Sequence, residues 1–335
     1  MTHPLTDLLE TQGWVLADGA TGTILFDMGL EAGEAPELWN VEAPDKVRAL
    51  YQGAVDAGSD VFLTNSFGGN AARLKLHNAQ DRVRELNRLA AQIGREVADA
   101  APRPVIVAGS MGPTGEILEP VGSFTVAEAT DIFEDQARGL IEGGADILWV
   151  ETISAPEELQ AAAEAIGRIN APWVCTMSFD TAGRTMMGVT PGAMVDLVSS
   201  LSHSPIAFGA NCGVGSADLL RTISGMNAAT LPLVAKGNAG IPKFHDGHIH
   251  YDGTPELMAD YAVMARDCGA GIIGGCCGTT PDHLRKMRAA LEGTPRGPRP
   301  SLDHIAEKLG EFSSASDGSG EKPTPPPRRR RRRAA

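Results

Sequence analysis

Eight short apolar runs recur along the chain, and each is followed by a stretch in which apolar positions step by three and four. The runs are Trp14–Ala20, Asp60–Phe67, Val105–Met111, Ile147–Thr152, Trp173–Phe179, Ile206–Cys212, Leu233–Asn238 and Gly271–Cys276. Hydrophobicity within them is nearly continuous rather than alternating, as strands buried on both faces should show. The intervening stretches read as amphipathic helices. Val83, Leu86, Ala90, Ile93 and Val97 make one apolar stripe, and Leu284, Met287 and Leu291 line the last helix of the series. Thr125-Val126-Ala127-Glu128 and Ser154-Ala155-Pro156-Glu157 each fit a capping box. Thr280, Pro281 and Asp282 suit the cap, first position and positive dipole end of another helix.

Eight strand–helix units in about 290 residues predict an α/β chain folded as a (β/α)8 barrel, placed over residues 1–295. A doubly wound open sheet is the alternative, and the regularity of the repeats favours closure. Residues 296–312 read as a linker, Gly297-Pro298-Arg299-Pro300, and one short helix within Leu302–Phe312. Residues 313–335 are rich in Ser, Gly, Pro and Arg and predict a disordered basic tail.

Net charge sharpens this division. The chain carries −13, but residues 313–335 carry +5, which leaves −18 on the body. A body so acidic disfavours nucleic acid as the main partner, and Arg328–Arg333 read as a solvated run. No apolar stretch approaches the length of a membrane span, and the first residues lack a secretory pattern. Five cysteines in such a chain suit ligands or core positions better than a disulfide framework, and the expected location is cytoplasmic.

In a barrel every strand's C-terminal end faces one rim, and polar residues should gather there. Asp18-Gly19-Ala20, Thr64-Asn65-Ser66-Phe67, Gly109 to Gly115, Glu151-Thr152, Asn211-Cys212-Gly213, Gly237-Asn238 and Gly274-Gly275-Cys276-Cys277-Gly278 all fall at such ends. Cys212, Cys276 and Cys277 therefore form a candidate three-thiolate site, which suits Zn²⁺ with one position left for a thiol substrate. Adjacent cysteines can share a metal only where the backbone turns sharply, and the flanking glycines permit that. The alternatives are core cysteines, as Cys175 and Cys268 are read, a vicinal disulfide, or a structural zinc site in an interaction protein. Glu151 closes an apolar strand and is placed to capture an ammonium group, with Asp18 as a second candidate. His245, His248 and His250 flank an Asp-Gly and read as a loop or small hairpin rather than a metal cluster.

These stretches resemble the homocysteine S-methyltransferase family over about residues 10–292, in order and with the Cys plus Gly-Gly-Cys-Cys-Gly pattern intact. The resemblance implies a zinc-containing barrel that methylates L-homocysteine to L-methionine. It implies Cys212, Cys276 and Cys277 as zinc ligands, with Asp18, Gly19, Ala20 and Glu151 holding the amino-acid end. Homocysteine thiolate would attack the methyl carbon in line, with no general base needed. Family members differ in methyl donor: betaine, S-methylmethionine, S-adenosylmethionine or methylcobalamin. Phe67-Gly68-Gly69 and Thr152 stand where animal betaine enzymes have Tyr, which leaves Trp39, Phe67 or Tyr251 as the candidates for a different cage around a quaternary ammonium. Pro36 to Asn40, Thr64 to Asn70 and Gly274 to His283 look more like the homocysteine module of cobalamin-dependent methionine synthase. The expectation is a stand-alone methyltransferase subunit fed by a corrinoid-carrying partner protein.

Overall fold

The computed structural model describes residues 3–320 except 242, 246 and 247, with backbone alone for 243–245 and 248–250. Eight parallel strands make one sheet: Val15–Leu16, Val61–Leu63, Ile106–Met111, Ile147–Ile153, Trp173–Met177, Ala207–Cys212, Leu233–Gly237 and Ala270–Gly275. Each lies beside its successor, the eighth pairs with the first through Val15↔Ile272, and the first meets the second at the bridge Ala17↔Val61. This is the (β/α)8 barrel that the eight apolar runs predict.

The first two strands are shorter than their runs, because side chains replace part of the ladder where they meet. Leu16 N donates to Asp60 Oδ2 at 3.0 Å, and Leu63 N donates to Asp18 Oδ2 at 2.7 Å.

Alternation along the strands builds two cores. Val15, Ala17, Val61, Leu63, Ile106, Ala108, Ile147, Trp149, Val174, Ala207, Val234 and Ile272 fill the barrel interior. The residues between them, such as Leu16, Phe62, Leu148, Phe208 and Ile273, pack in the larger cluster under the surrounding helices. Helix Pro4–Gln12 closes the lower end, with Leu5 in the interior cluster and Leu8 and Leu9 against it. Towards the upper end the inward positions turn polar: Ser110, Glu151, Thr176, Asn211 and Lys236 are all buried. The apolar interior is thus the floor on which a polar layer stands.

The helical stripes match their sequence patterns. Helix Val83–Ala100 buries Val83, Leu86, Ala90, Ile93 and Val97, and helix Pro281–Gly293 buries Leu284, Met287 and Leu291. Thr125 and Glu128 cap one another as predicted. Ser154 does not cap its helix. Pro156 takes the first helical position, so Ala155 becomes the cap residue, while the Ser154 carbonyl accepts from Thr185 Oγ1 at 2.8 Å. At Thr280 the backbone N–H donates to His283 Nδ1 at 3.1 Å, a partner the sequence reading did not name.

Helix Leu302–Leu309 lies against helices Ser216–Gly225 and Pro255–Cys268. The segment before it is pinned by Arg296, donating to Arg266 O, and by Arg299, donating to Cys268 O. Ser313 N donates to Asp218 Oδ2 at 2.9 Å and Arg221 donates to Ser314 O at 2.7 Å, so the first residues read as tail rest on the body. The remainder of that stretch, including Arg328–Arg333, lies outside the described residues. Lys243–His245 pairs antiparallel with His248–His250, a small hairpin as the sequence suggested.

Candidate metal centre and substrate pocket

The three cysteines converge. Sγ atoms of Cys212, Cys276 and Cys277 all lie within 4.8 Å of one another. Cys212 ends the sixth strand, and the adjacent pair follows the eighth. Two neighbours reach one point because the chain turns at once: Thr279 N donates to Cys276 O at 3.1 Å and Gly278 has φ +77°. That is a type II turn, whose third position needs a residue free to adopt positive φ. Cys276 N is fixed to Gly237 O at 2.7 Å, and Ala239 N to Cys277 O at 2.9 Å.

Cys212 itself has φ +59°, and Thr152 across the rim has φ +62°. Left-handed backbone at a non-glycine residue costs about 1–3 kcal/mol and persists only where its surroundings hold it. Two asparagines do so. Asn238 Nδ2 reaches Gly213 O at 2.8 Å and Cys212 Sγ at 3.7 Å, while its Oδ1 accepts from Cys277 N. Asn211 Oδ1 accepts from Thr152 N at 2.9 Å and Thr176 Oγ1 at 2.7 Å, and its Nδ2 donates to Thr152 Oγ1 and lies 3.9 Å from Cys276 Sγ. Each sulfur at the strand ends therefore has an amide donor beside it.

Crowding keeps the thiols protonated. The hydrogen bond with Cys276 lowers the Cys212 thiol, but Cys277 and burial outweigh it and push it up to about 11. Cys277 is lowered by Cys212 and raised more by Cys276 and burial, to about 12. Cys276 is raised by its hydrogen bond to Cys212 and by burial. A divalent cation is what reverses such a balance, because coordination removes the proton outright.

The cluster opens onto a cavity of about 380 Å³, whose wall includes Ala20, Phe67, Glu151 and Lys236. Glu151 is buried, and its Oε1 accepts from Ser110 Oγ at 2.5 Å. Burial raises its pKa, against the opposing pull of Lys236 and Ser110. Asp18 also lies in the polar layer, but both its oxygens are engaged: Oδ1 with Lys236 Nζ at 2.5 Å, Oδ2 with Leu63 N. Gly19 and Ala20 line the cavity, and Ala20 N donates to Thr279 O at 3.0 Å, tying the first strand's exit to the cysteine turn. Cys175 and Cys268 sit in the hydrophobic core, as read, and all five cysteines are free.

The other motif stretches brace this wall. Asn40 Nδ2 donates to Asn65 O at 2.9 Å, Glu37 Oε1 accepts from Gly68 N at 2.6 Å, and Ser66 Oγ donates to Ser110 O at 2.8 Å. Of the three aromatic residues considered as a cage, Phe67 lines the cavity and Tyr251 stands beside Cys277. Trp39 is buried under Lys46, whose Nζ is 4.3 Å from its ring. Sequence reasoning missed Lys236. The available signal was a lone charge inside the apolar run Leu233–Asn238, which a buried strand admits only with a partner.

Comparison with known proteins agrees with the geometry. The homocysteine S-methyltransferase family model matches residues 15–291. Methionine synthase from Mycobacterium leprae is 33% identical over 88% of this chain, and that of Mycobacterium tuberculosis is 32% identical over 88%. This chain spans only 26% of the length of either. Among solved structures, the oxidized form of the Escherichia coli homocysteine methyltransferase MmuM superposes with TM-score 0.71 at 26% identity, covering 86% of this chain and 99% of that one. Its metallated form gives TM-score 0.69 at 25% identity, with the same coverage. The chain belongs to the homocysteine S-methyltransferase family.

Proposed function

We propose that this protein is a zinc-dependent homocysteine S-methyltransferase that forms L-methionine, acting as the methyltransferase subunit of a split cobalamin-dependent methionine synthase. The carrying observation is the convergence of three thiols at the edge of a cavity that also holds a buried carboxylate. The donor set suits zinc. Tetrahedral Zn–S bonds of about 2.3 Å imply sulfurs about 3.8 Å apart, compatible with a cluster within 4.8 Å. Bound zinc would supply a thiolate nucleophile at neutral pH by taking the place of the substrate thiol's proton. Among the described residues the group offers three ligand atoms, one short of a closed structural site, which counts against a purely structural zinc.

The chain's own residues do the rest. Cys212, Cys276 and Cys277 would hold the metal; Asp18, Gly19, Ala20 and Glu151 would surround the amino-acid end of homocysteine. Asn211 and Asn238 keep the cysteines oriented. The substrate sulfur forms its bond to the methyl carbon as the donor's bond to that carbon breaks, and the thiol proton leaves to solvent on binding. No proton needs moving at carbon, so alignment is the barrel rim's main contribution.

Likeness to methionine synthases supports a corrinoid on a partner protein as donor. Betaine or S-methylmethionine is the second reading, favoured by Phe67, Glu34 and Glu37 at the cavity wall, an aromatic face and two carboxylates suited to an onium group. Five unpaired cysteines fit a reducing, cytoplasmic setting. No helix among the described residues is long and apolar enough to cross a membrane. The test is methionine formation by the zinc-loaded protein with betaine, S-methylmethionine, S-adenosylmethionine and methylcobalamin offered in parallel. Turnover with methylcobalamin alone supports the split synthase, turnover with betaine replaces it, and failure to bind homocysteine ends the proposal.

A further inference from the structure

The cavity has two ends of different character. Its floor is the buried layer of Glu151 and Lys236 beside the thiols, closed below by the apolar interior. Its open side is lined by exposed residues of two segments: Glu34, between the first and second strands, and Arg73 and Leu76, between the second and third, with His77 half-buried. A substrate seated on the floor leaves a methyl donor one way in, through this open side.

Arg73 stands apart from the other arginines. Among the described residues every other arginine donates at least one side-chain hydrogen bond, whereas the Arg73 guanidinium makes none. It is placed all the same. Its backbone N–H donates at 3.0 Å to Oδ1 of Asn70, the cap of helix Ala71–Leu74, and Asn70 Nδ2 reaches Pro113 O at 3.4 Å. Gly115 has φ +81°, and a Cβ there would stand 3.2 Å from Arg73 Nη1 and 3.4 Å from Cδ, so the side chain packs against the turn after the third strand. The carboxylates of the wall do not claim it. Glu37 is buried and accepts from Gly68 N at 2.6 Å. Burial raises the Glu37 pKa, with the Gly68 hydrogen bond, Arg73 and His77 pulling the other way. Arg73 therefore feels Glu37 without bonding to it, and its forked donors, suited to a carboxylate or a phosphate, are taken up by no protein group.

We propose that Arg73 recognises the methyl donor: it binds an anionic group that the donor carries away from its methyl, while the methyl end lies beside Phe67 and faces the substrate sulfur. The proposal rests on the reading that the cavity floor holds homocysteine. Two sources share this chemistry, a carboxylate as in betaine or S-methylmethionine and the nucleotide-loop phosphate of a corrinoid. A donor without that group keeps its methyl and loses the charge-assisted hydrogen bonds. Arg73 sits at the open side, remote from the reacting atoms, so its contact is made equally before and during methyl transfer. Such uniform binding lowers KM and leaves kcat alone.

The experiment measures kcat and KM of the zinc-loaded protein, saturated with L-homocysteine, for matched pairs of donors: betaine and choline, S-methylmethionine and its α-amide, methylcobalamin and methylcobinamide. The second member of each pair keeps the methyl and lacks the anionic group. At low ionic strength the wild type should favour the anionic member of the pair it uses by about 5- to 30-fold in kcat/KM. In Arg73→Gln that preference should fall to within about threefold, through KM for the donor, with KM for L-homocysteine unmoved. Arg73→Lys should restore part of it. The pair that responds identifies the source, a carboxylate for the first two and a phosphate for the third. The proposal is overturned if Arg73→Gln leaves the preference intact or weakens both members of a pair equally, or if the wild type shows no preference in any pair or uses neither member of all three. The homocysteine reading stands in each of those cases while calorimetric titration shows L-homocysteine bound; a wild type that binds none overturns both.

Discussion

Cys276 occupies two roles at once, first residue past the eighth strand, held by its N–H to Gly237 O, and member of the thiol cluster, and its neighbour Cys277 depends on the same turn. Cys276→Ala should lose zinc, measured by atomic absorption, together with methionine formation; an active, zinc-free variant would sink the metal reading. At this scale the sequence was unevenly legible. Cys276 and Cys277 stood out because glycines flank them at a strand end, and Glu151 because it closes an apolar run. Lys236 was hidden because its meaning lies in a partner 218 residues away, Asp18, and no local pattern links the two. The same distance obscured part of Asp18, which read as a second candidate to capture an ammonium group and is engaged at both oxygens by Lys236 and Leu63 N.

Among elements, the turn after the eighth strand and the helix after the fourth make distinct predictions. Gly278 has φ +77° and its missing Cβ would run into the Tyr251 side chain. Gly278→Ala should therefore destabilise the fold by about 1–2 kcal/mol, and it should speed zinc loss to a chelator because Cys277 shifts with the turn. Glu158, in helix Pro156–Ile169, receives Thr114 N at 2.8 Å and Thr114 Oγ1 at 2.6 Å. Burial raises its pKa against those hydrogen bonds. The folded state thus binds the proton more tightly than the unfolded chain does. That contribution to stability is full below the unfolded carboxylate value and is lost as pH rises through the folded one. Glu158→Gln should accordingly show a smaller fall in melting temperature between pH 5 and pH 8 than wild type. Element starts were readable where a cap needs only its own side chains, as at Thr125. Ser154 misled because a proline two positions later fixes where the helix begins.

For the molecule as a whole, the count of strand–helix units was enough to predict a barrel, since eight covered strands in one chain have few other ways to bury themselves. How the ring closes was not readable, because closure uses the carboxylates of Asp18 and Asp60 in place of a regular ladder. The lower end rests on a plug. Leu5→Ala should cost about 2–5 kcal/mol in denaturant unfolding, yet leave homocysteine affinity of the folded protein unchanged, because Leu5 lies at the opposite end of the interior from the polar layer.

The fastening of the ring through Asp18 has a practical side. One of its oxygens joins the second strand to the first, and the other faces the pocket's lysine. Anyone redesigning the enzyme for a new thiol by changing charge at Asp18 would loosen the hoop in the same stroke. Glu151 and Phe67 are the freer places to start, since neither side chain takes part in joining the first strand to the second.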